Sequence, residues 1–225
     1  MCPTQSPSND SSSKERPQRG ARRAAILDAA IETFAQRGFH HARVSDVARQ
    51  AGVADGTIYL YFKSKDDLLI SLFEEKMEEI VQTFRAEVHQ HEHSRDRLRC
   101  FIELHLKMVA ARPSLAEVMT VELRQSSKFM REYKAPQFGA YLTLLGEIIS
   151  YGQQRREIVS TFDPSLTRRI IFGALDELSL YWVSLKKPQH DLDRVIQELW
   201  NLCAGGCFVA KTSSGDPEQA KSLST

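Results

Sequence analysis

Residues 51–65 read AGVADGTIYLYFKSK, a mixture unusual for a helix that packs only in a core. Ile58 and Phe62 lie four apart, so on a helix they share one face, and their apolarity turns it inward. At about 100° per residue the opposite face carries Gly56, Thr57 and Leu60, flanked by Tyr59 and Tyr61. A glycine near a helix start lets the backbone come close to another surface. Threonine brings a hydroxyl and a methyl that suit base edges and the thymine methyl; tyrosine hydroxyls suit phosphate and sugar. Lys63 and Lys65 add positive charge after them. Such a face fits a major groove. The competing reading is packing alone, with both tyrosines covering the edge of a small bundle, and composition leaves the two open.

Upstream, Val44, Val47, Ala48 and Ala51 make a short amphipathic helix that Gly52 ends. Before it, Ala25, Ile26, Ala29, Ala30 and Phe34 recur at helical spacing from about residue 20 until Gly38 stops the run. Two short helices joined through a glycine turn and packed on a first form a helix-turn-helix, the third helix covering about 55–62. Downstream, Ser64 with Asp67 resembles a capping box and opens a long helix to about Val88. Ser94 is expected to cap the next helix, which runs to Arg112 ahead of Pro113. Helices are expected at about 116–123 and at 129–156, the latter interrupted or restarted near Pro136. Asp163-Pro164 gives a cap and a first-turn proline for a helix to about Leu185, and a last helix covers Leu192 to about Ala210. No strand-like alternation of useful length is present, so the chain is expected to be all-α.

The charge is uneven. Residues 1–65 hold ten Lys/Arg against six Asp/Glu, while the remainder holds twenty against twenty-three. A basic head on a mildly acidic body fits an anionic partner for the head, although a solvated face would also explain it. No apolar run is long enough to span a membrane, and the cytoplasm is the expected location. Cys2, Cys100, Cys203 and Cys207 are too few for a disulfide framework. His89, His91 and His93 alternate around Glu92, but no further ligands stand near, so no metal site is expected. No nucleophile–base motif or Gly-rich phosphate loop is present, which argues against an enzyme and against a resident cofactor.

The segment VSDVARQAGVADGTIYLYFKSKDDLL, residues 44–69, resembles the DNA-binding signature of the TetR family of bacterial repressors: a short helix, A-G-V, then G-T-[IL]-Y-x-[YH]-F and K-x-K. The resemblance implies an N-terminal three-helix DNA-binding domain at 20–66, a larger helical ligand-binding and dimerisation domain at 67–211, and a homodimer on a palindromic operator. Residues 1–19 and 212–225 are expected to be a disordered leader and tail. Carried onto this chain, Asp55, Gly56, Thr57, Tyr59 and Tyr61 match the family's recognition-helix contacts, and Ser45 and Lys65 its other DNA contacts; Lys63 adds charge beside them. Two positions depart from the pattern. Arg43 stands where the family has a capping Ser or Thr, weakening the cap but offering a phosphate cation; Ala54 stands where Ser often caps the third helix. Asp55 is then expected to stabilise that helix start or to read a base rather than touch phosphate.

Beyond the head, residues 52–77, VELRQSS at 121–127 and IIFGALDELSLYWV at 170–183 are similar to FadR-type members, which repress fatty-acid degradation and leave DNA on binding long-chain acyl-CoA. A long acyl chain needs an apolar tunnel, and Phe101, Leu104, Met108, Met119, Leu123, Phe138, Leu142 and Leu145 are candidates, though their spacing is also that of a plain core. Arg124, followed by Lys128, Arg131 and Lys134, is the candidate cation for CoA phosphates, its alternative being an ion pair with Glu122 or Glu117. Leu175, Leu178, Trp182, Leu199, Leu202, Gly205 and Gly206 are the expected dimer face, or else an intramolecular core. Two rival readings stay open. A repressor of a multidrug efflux pump would line its pocket with Glu122, Asp176, Glu177 and Trp182; an acyl-CoA-binding protein that does not bind DNA would leave the Thr57/Tyr59/Tyr61 face without a purpose.

Overall fold

The computed structural model describes residues 12–126, 128, 130, 134–185 and 188–209, with side chains from residue 18. Cys2, Arg131 and the tail from 212 lie outside the described residues. Nine α-helices and one 3-10 turn are present among those described, with no strand beyond a single bridge between Ile158 and Phe208.

Helix α1 (Ser12–Arg37) begins eight residues before its apolar spacing does, so residues 12–19, expected as leader, are helical. It buries Ile26, Leu27, Ala30 and Phe34. Gly38 ends it in the left-handed region, φ +75°, a conformation open to glycine at no steric cost. Helix α2 (Val44–Gln50) is capped from within. A guanidinium cannot accept a hydrogen bond, so Arg43 is no cap; Asp46 takes the Arg43 backbone N–H at 3.0 Å instead. That bond, then Arg37 and Arg49, hold the Asp46 carboxyl below the usual range. Gly52, φ +67°, turns the chain into α3 (Asp55–Tyr59), which is shorter than expected. Leu60 to Phe62 continue as a turn whose bonds, Phe62 N–H to Ile58 O at 3.0 Å among them, preserve the inward face.

Helix α4 (Lys65–Val88) has 24 residues and so is ~36 Å long. Ser64 caps it by accepting the Asp67 N–H, while the Asp67 carboxylate reaches back to the N–H of Lys63, one residue beyond the expected box. α4 packs on α1 and also on the body, so it belongs to both halves. Helix α5 (Ser94–Ala111) is capped otherwise than expected. Ser94 is its first helical residue, and the carboxylate of Glu157 accepts both the Ser94 N–H (2.7 Å) and its hydroxyl (2.6 Å). Burial raises the Glu157 pKa, but hydrogen bonds from His93, Ser94 and Arg155 outweigh it and hold it at about 2.

Helix α6 (Pro113–Thr120) starts on its proline and runs through Val121 into the 3-10 turn Glu122–Gln125, three residues earlier than expected. Helix α7 (Pro136–Gln154) starts afresh at Pro136. Helix α8 (Pro164–Ser184) has its Asp163 cap, which accepts the Leu166 N–H at 2.8 Å. Helix α9 (Leu192–Cys207) is capped by Asp191 and ends three residues short of Ala210, where Phe208 bridges to Ile158. One continuous core runs from Ile26 in the head to Cys203 in α9. Cys100, Cys203 and Cys207 are free thiols, and burial pushes Cys203 up to about 11. Among the described residues no helix is long and apolar enough to cross a membrane, and no three His, Cys, Asp or Glu side chains group as metal ligands. His93 instead faces Glu157 at 3.0 Å.

Candidate DNA face and effector cavity

The head presents the face that helical geometry assigns to it. Ile58 and Phe62 are buried, whereas Tyr59 is 58% and Leu60 72% exposed. Asp55, Gly56, Lys63 and Arg43 are exposed, and Thr57, Ser45 and Tyr61 half-buried. A methyl added at Gly56 would meet nothing within 4 Å, so the fold does not require glycine there. What its small size leaves room for lies outside the chain. Arg19, counted in the sequence only as part of a charge surplus, sits with its guanidinium 5.7 Å from the Tyr61 ring and extends the same face.

Lys65, expected among the DNA contacts, is engaged within the chain. Its ammonium donates to the carbonyls of Phe39 (2.6 Å), His40 (3.2 Å) and Ala42 (3.0 Å), and lies 4.5 Å from the Phe39 ring. All three of its hydrogens are occupied. Lys65 ties the start of α4 to the loop between α1 and α2, and Lys63 is left as the exposed cation of the pair.

Behind the head, five helices line a cavity of about 90 Å³ that opens in part to solvent. α4 supplies Phe73, Met77 and Ile80; α5 supplies His105, Met108 and Val109. α6 adds Leu115, Ala116, Met119 and Thr120, α7 adds Phe138 and Tyr141, and α8 adds Phe172, Asp176 and Ser179. Arg112, exposed between α5 and α6, stands at the rim, and Leu115 with it also borders a polar groove lined by Asp28, Glu32, Lys76 and Glu79.

Of the sequence candidates, Met108, Met119 and Phe138 line this cavity. Phe101, Leu123, Leu142 and Leu145 are packed inside the core instead, Phe101 edge-on to Phe84 with ring centroids 5.4 Å apart. Leu104 faces a separate surface groove with Cys100 and Lys107. Arg124 pairs with neither Glu122 nor Glu117: its Nη2 donates to both carboxylate oxygens of Asp176, at 2.8 and 2.7 Å. Lys128 and Lys134 are exposed. Helical spacing identifies inward positions but not which of them border a void, and that distinction separates the two sets.

Of the cavity's polar wall, the sequence pointed to Asp176 alone. His105 is buried, with Nδ1 2.6 Å from the Tyr141 hydroxyl and Nε2 2.8 Å from Ser179 Oγ. Burial lowers its pKa to about 4 and raises that of Tyr141, so both stay neutral near pH 7. On the outer surface, the expected dimer residues divide. Leu175 and Leu199 are buried in the chain's own core, and Leu178 and Trp182 pack partly against it. Leu202 is 74% exposed, and Gly205 and Gly206 face open space. Leu166 and Ile170, four apart on α8, are exposed as well and had not been singled out.

A helix-turn-helix with an open threonine–tyrosine face, continuous through α4 with a body that holds an apolar cavity, defines a DNA-binding regulator with a ligand site. Residues 26–72 match the family described as bacterial regulatory proteins, tetR family, and residues 73–206 the one described as YsiA-like protein, C-terminal region. The chain belongs to the TetR family of DNA-binding transcriptional regulators. It is 39% identical over 181 residues to the fatty acid metabolism regulator protein of Bacillus subtilis, covering 80% of this chain and 93% of that one. Among solved structures it is similar to the regulator FadR of Bacillus subtilis in complex with stearoyl-CoA, at 38% identity and a TM-score of 0.76. The fatty acid degradation regulator FadR of Bacillus halodurans is similar too, at 38% and 0.75; each comparison covers 81% of this chain and 98% of the other.

Proposed function

We propose that this protein is a cytoplasmic repressor, without catalytic activity, that holds a palindromic operator as a homodimer and releases it on binding long-chain acyl-CoA. The observation that carries this reading is the apolar cavity between α4 and α8, in a chain similar to a protein solved with stearoyl-CoA. Burying about a dozen methylenes at ~0.8 kcal/mol each gives on the order of 10 kcal/mol, before ordering costs. Shifting a two-state protein from 1:99 to 99:1 takes ~5.5 kcal/mol of differential affinity. The chain supplies enough. At the rim Arg112 is the cation offered to the CoA phosphates, since Lys76 in the adjoining groove is already paired with Asp28 and Glu79. α4 carries both cavity residues and Lys65, so a chain that wedges against Phe73, Met77 and Ile80 tilts the helix that holds the head.

Two heads must stand about one helical turn of DNA apart, ~34 Å or a multiple, to read both half-sites. Leu166, Ile170 and Leu202, beside open Gly205 and Gly206, are the surface fitted to a second copy. The efflux-pump reading fares worse. Of its four expected pocket residues only Asp176 reaches the cavity, and Arg124 already neutralises it.

Gel shift of the protein with its own promoter duplex tests the proposal. Octadecanoyl-CoA is expected to release the duplex, and free CoA to leave it bound. A complex indifferent to both refutes the effector class. The two lysines are expected to separate cleanly in the same assay. Lys63→Ala should lower the slope of log affinity against log salt by about one, as for the loss of one phosphate contact. Lys65→Ala should leave that slope near the parent's while lowering the melting temperature, because its carbonyl partners lie within the chain.

A further inference from the structure

The cavity wall holds hydrogen-bonding groups, yet its hydroxyl and imidazole hydrogens are already placed. Ser179 Oγ lies 2.7 Å from the Leu175 carbonyl, which can only accept, so the single Ser179 hydrogen sits there. Toward His105 the serine must then accept, which puts the imidazole hydrogen on Nε2. That leaves Nδ1 as the acceptor for the Tyr141 O–H at 2.6 Å. Thr120 gives its hydrogen to the Ala116 carbonyl at 2.6 Å. What the inner wall still offers a guest is lone pairs, on Tyr141, Ser179 and Thr120, with the Asp176 carboxylate beside them. Among the described lining residues, the guanidinium of Arg112 at the rim is the side chain that retains donors.

We infer that this acceptor-lined wall selects acyl chains by their oxidation state. An unsubstituted chain needs nothing from it. A chain hydroxyl brings its own hydrogen and can donate to the Tyr141 or Ser179 oxygen. A chain ketone needs a donor, finds none inside, and loses the water that had solvated it. The inference rests on the acyl-thioester reading above, and it keeps the thioester carbonyl at the Arg112 end. Hydroxyacyl and saturated acyl thioesters would therefore act as effectors, and oxoacyl thioesters of the same length would not.

Calorimetric titration of the full chain tests this with octadecanoyl-CoA and with pairs bearing a hydroxyl or a ketone at the same carbon, stepped along the chain. At the carbon that reaches His105 and its partners, the ketone is expected to bind at least about tenfold more weakly than its hydroxyl partner. In Ser179→Ala the His105 Nε2–H loses its acceptor and becomes a donor for the guest, so that ratio is expected to shrink to about threefold or less. Equal affinities for hydroxyl and ketone at every carbon would overturn the inference while leaving the acyl-thioester reading intact. A ketone deficit that survives Ser179→Ala would remove its assignment to this hydrogen-bond chain. If unsubstituted octadecanoyl-CoA itself does not bind, the acyl-thioester reading fails, and the inference with it.

Discussion

Glu122→Ala is expected to lower the melting temperature by about 2–12 °C and to raise the acyl-CoA concentration needed to free the operator. The reason lies in how α1 ends. Gly38 takes the chain out of the helix, so the next N–H, that of Phe39, has no partner within α1. The buried carboxylate of Glu122 accepts it from 83 residues away. An unsatisfied buried N–H costs ~1–3 kcal/mol, and each kcal/mol moves a chain of this size by ~2–4 °C. Glu122 also follows directly on α6, whose Leu115, Ala116, Met119 and Thr120 border the cavity. A chain that displaces α6 therefore pulls on the loop that positions α2. Glu122→Gln keeps an acceptor oxygen and is expected to recover most of both effects. Thermal melts of the two variants, with gel shifts over an acyl-CoA series, read the outcome. An alanine variant that melts and releases DNA like the parent would remove Glu122 from both roles.

Glu122 also illustrates what a sequence can and cannot carry. The head was legible because each of its signals is local. Gly38 and Gly52 mark turns, Ile58 and Phe62 define an inward face, and the rest of the third helix is outward by subtraction. Even there, the partners of Lys65 were out of reach, since its three carbonyls lie 23 to 26 residues back in a loop whose path no spacing encodes. The body was legible as helices and not as a site. An acid in an apolar stretch, such as Glu122, reads equally as a ligand contact, an ion pair or a helix cap until its distant partner is placed. Phe101 and Met108 lie on the same inward side of α5, and only the packing of α7 and α8 makes one core and the other cavity wall. His105 drew no notice because a single histidine in an apolar helix carries no pattern. Its partners come from Tyr141 and Ser179, 36 and 74 residues on.

Acidification from pH 7 to pH 5 is expected to cost the parent protein about 2 kcal/mol of stability through His105 alone. Its pKa falls from 6.5 to about 4 on folding, because burial removes the solvent that would support the charged ring. Between those values the unfolded chain binds a proton that the folded chain does not, so stability rises with pH across the window and is lost as pH falls. Fully traversed, a shift of this size corresponds to about 3 kcal/mol, at ~1.4 kcal/mol per unit. The groups that face the ring do not offset it. Burial holds Tyr141 protonated far above this range, Ser179 does not titrate, and Asp176 on the same wall is matched by Arg124. The neutral ring is also the form whose Nδ1 accepts the Tyr141 hydroxyl; a second proton on the ring would break that bond. His105→Gln has no group that titrates there, so its stability should decline less steeply. Urea denaturation of both proteins at pH 7, 6 and 5 gives the difference directly, and other acid-sensitive groups, Glu157 among them, cancel between the two. Parallel declines would mean that His105 takes up its proton as readily in the folded chain as in the unfolded one, and the neutral hydrogen-bond chain along the cavity wall would then not persist at pH 5.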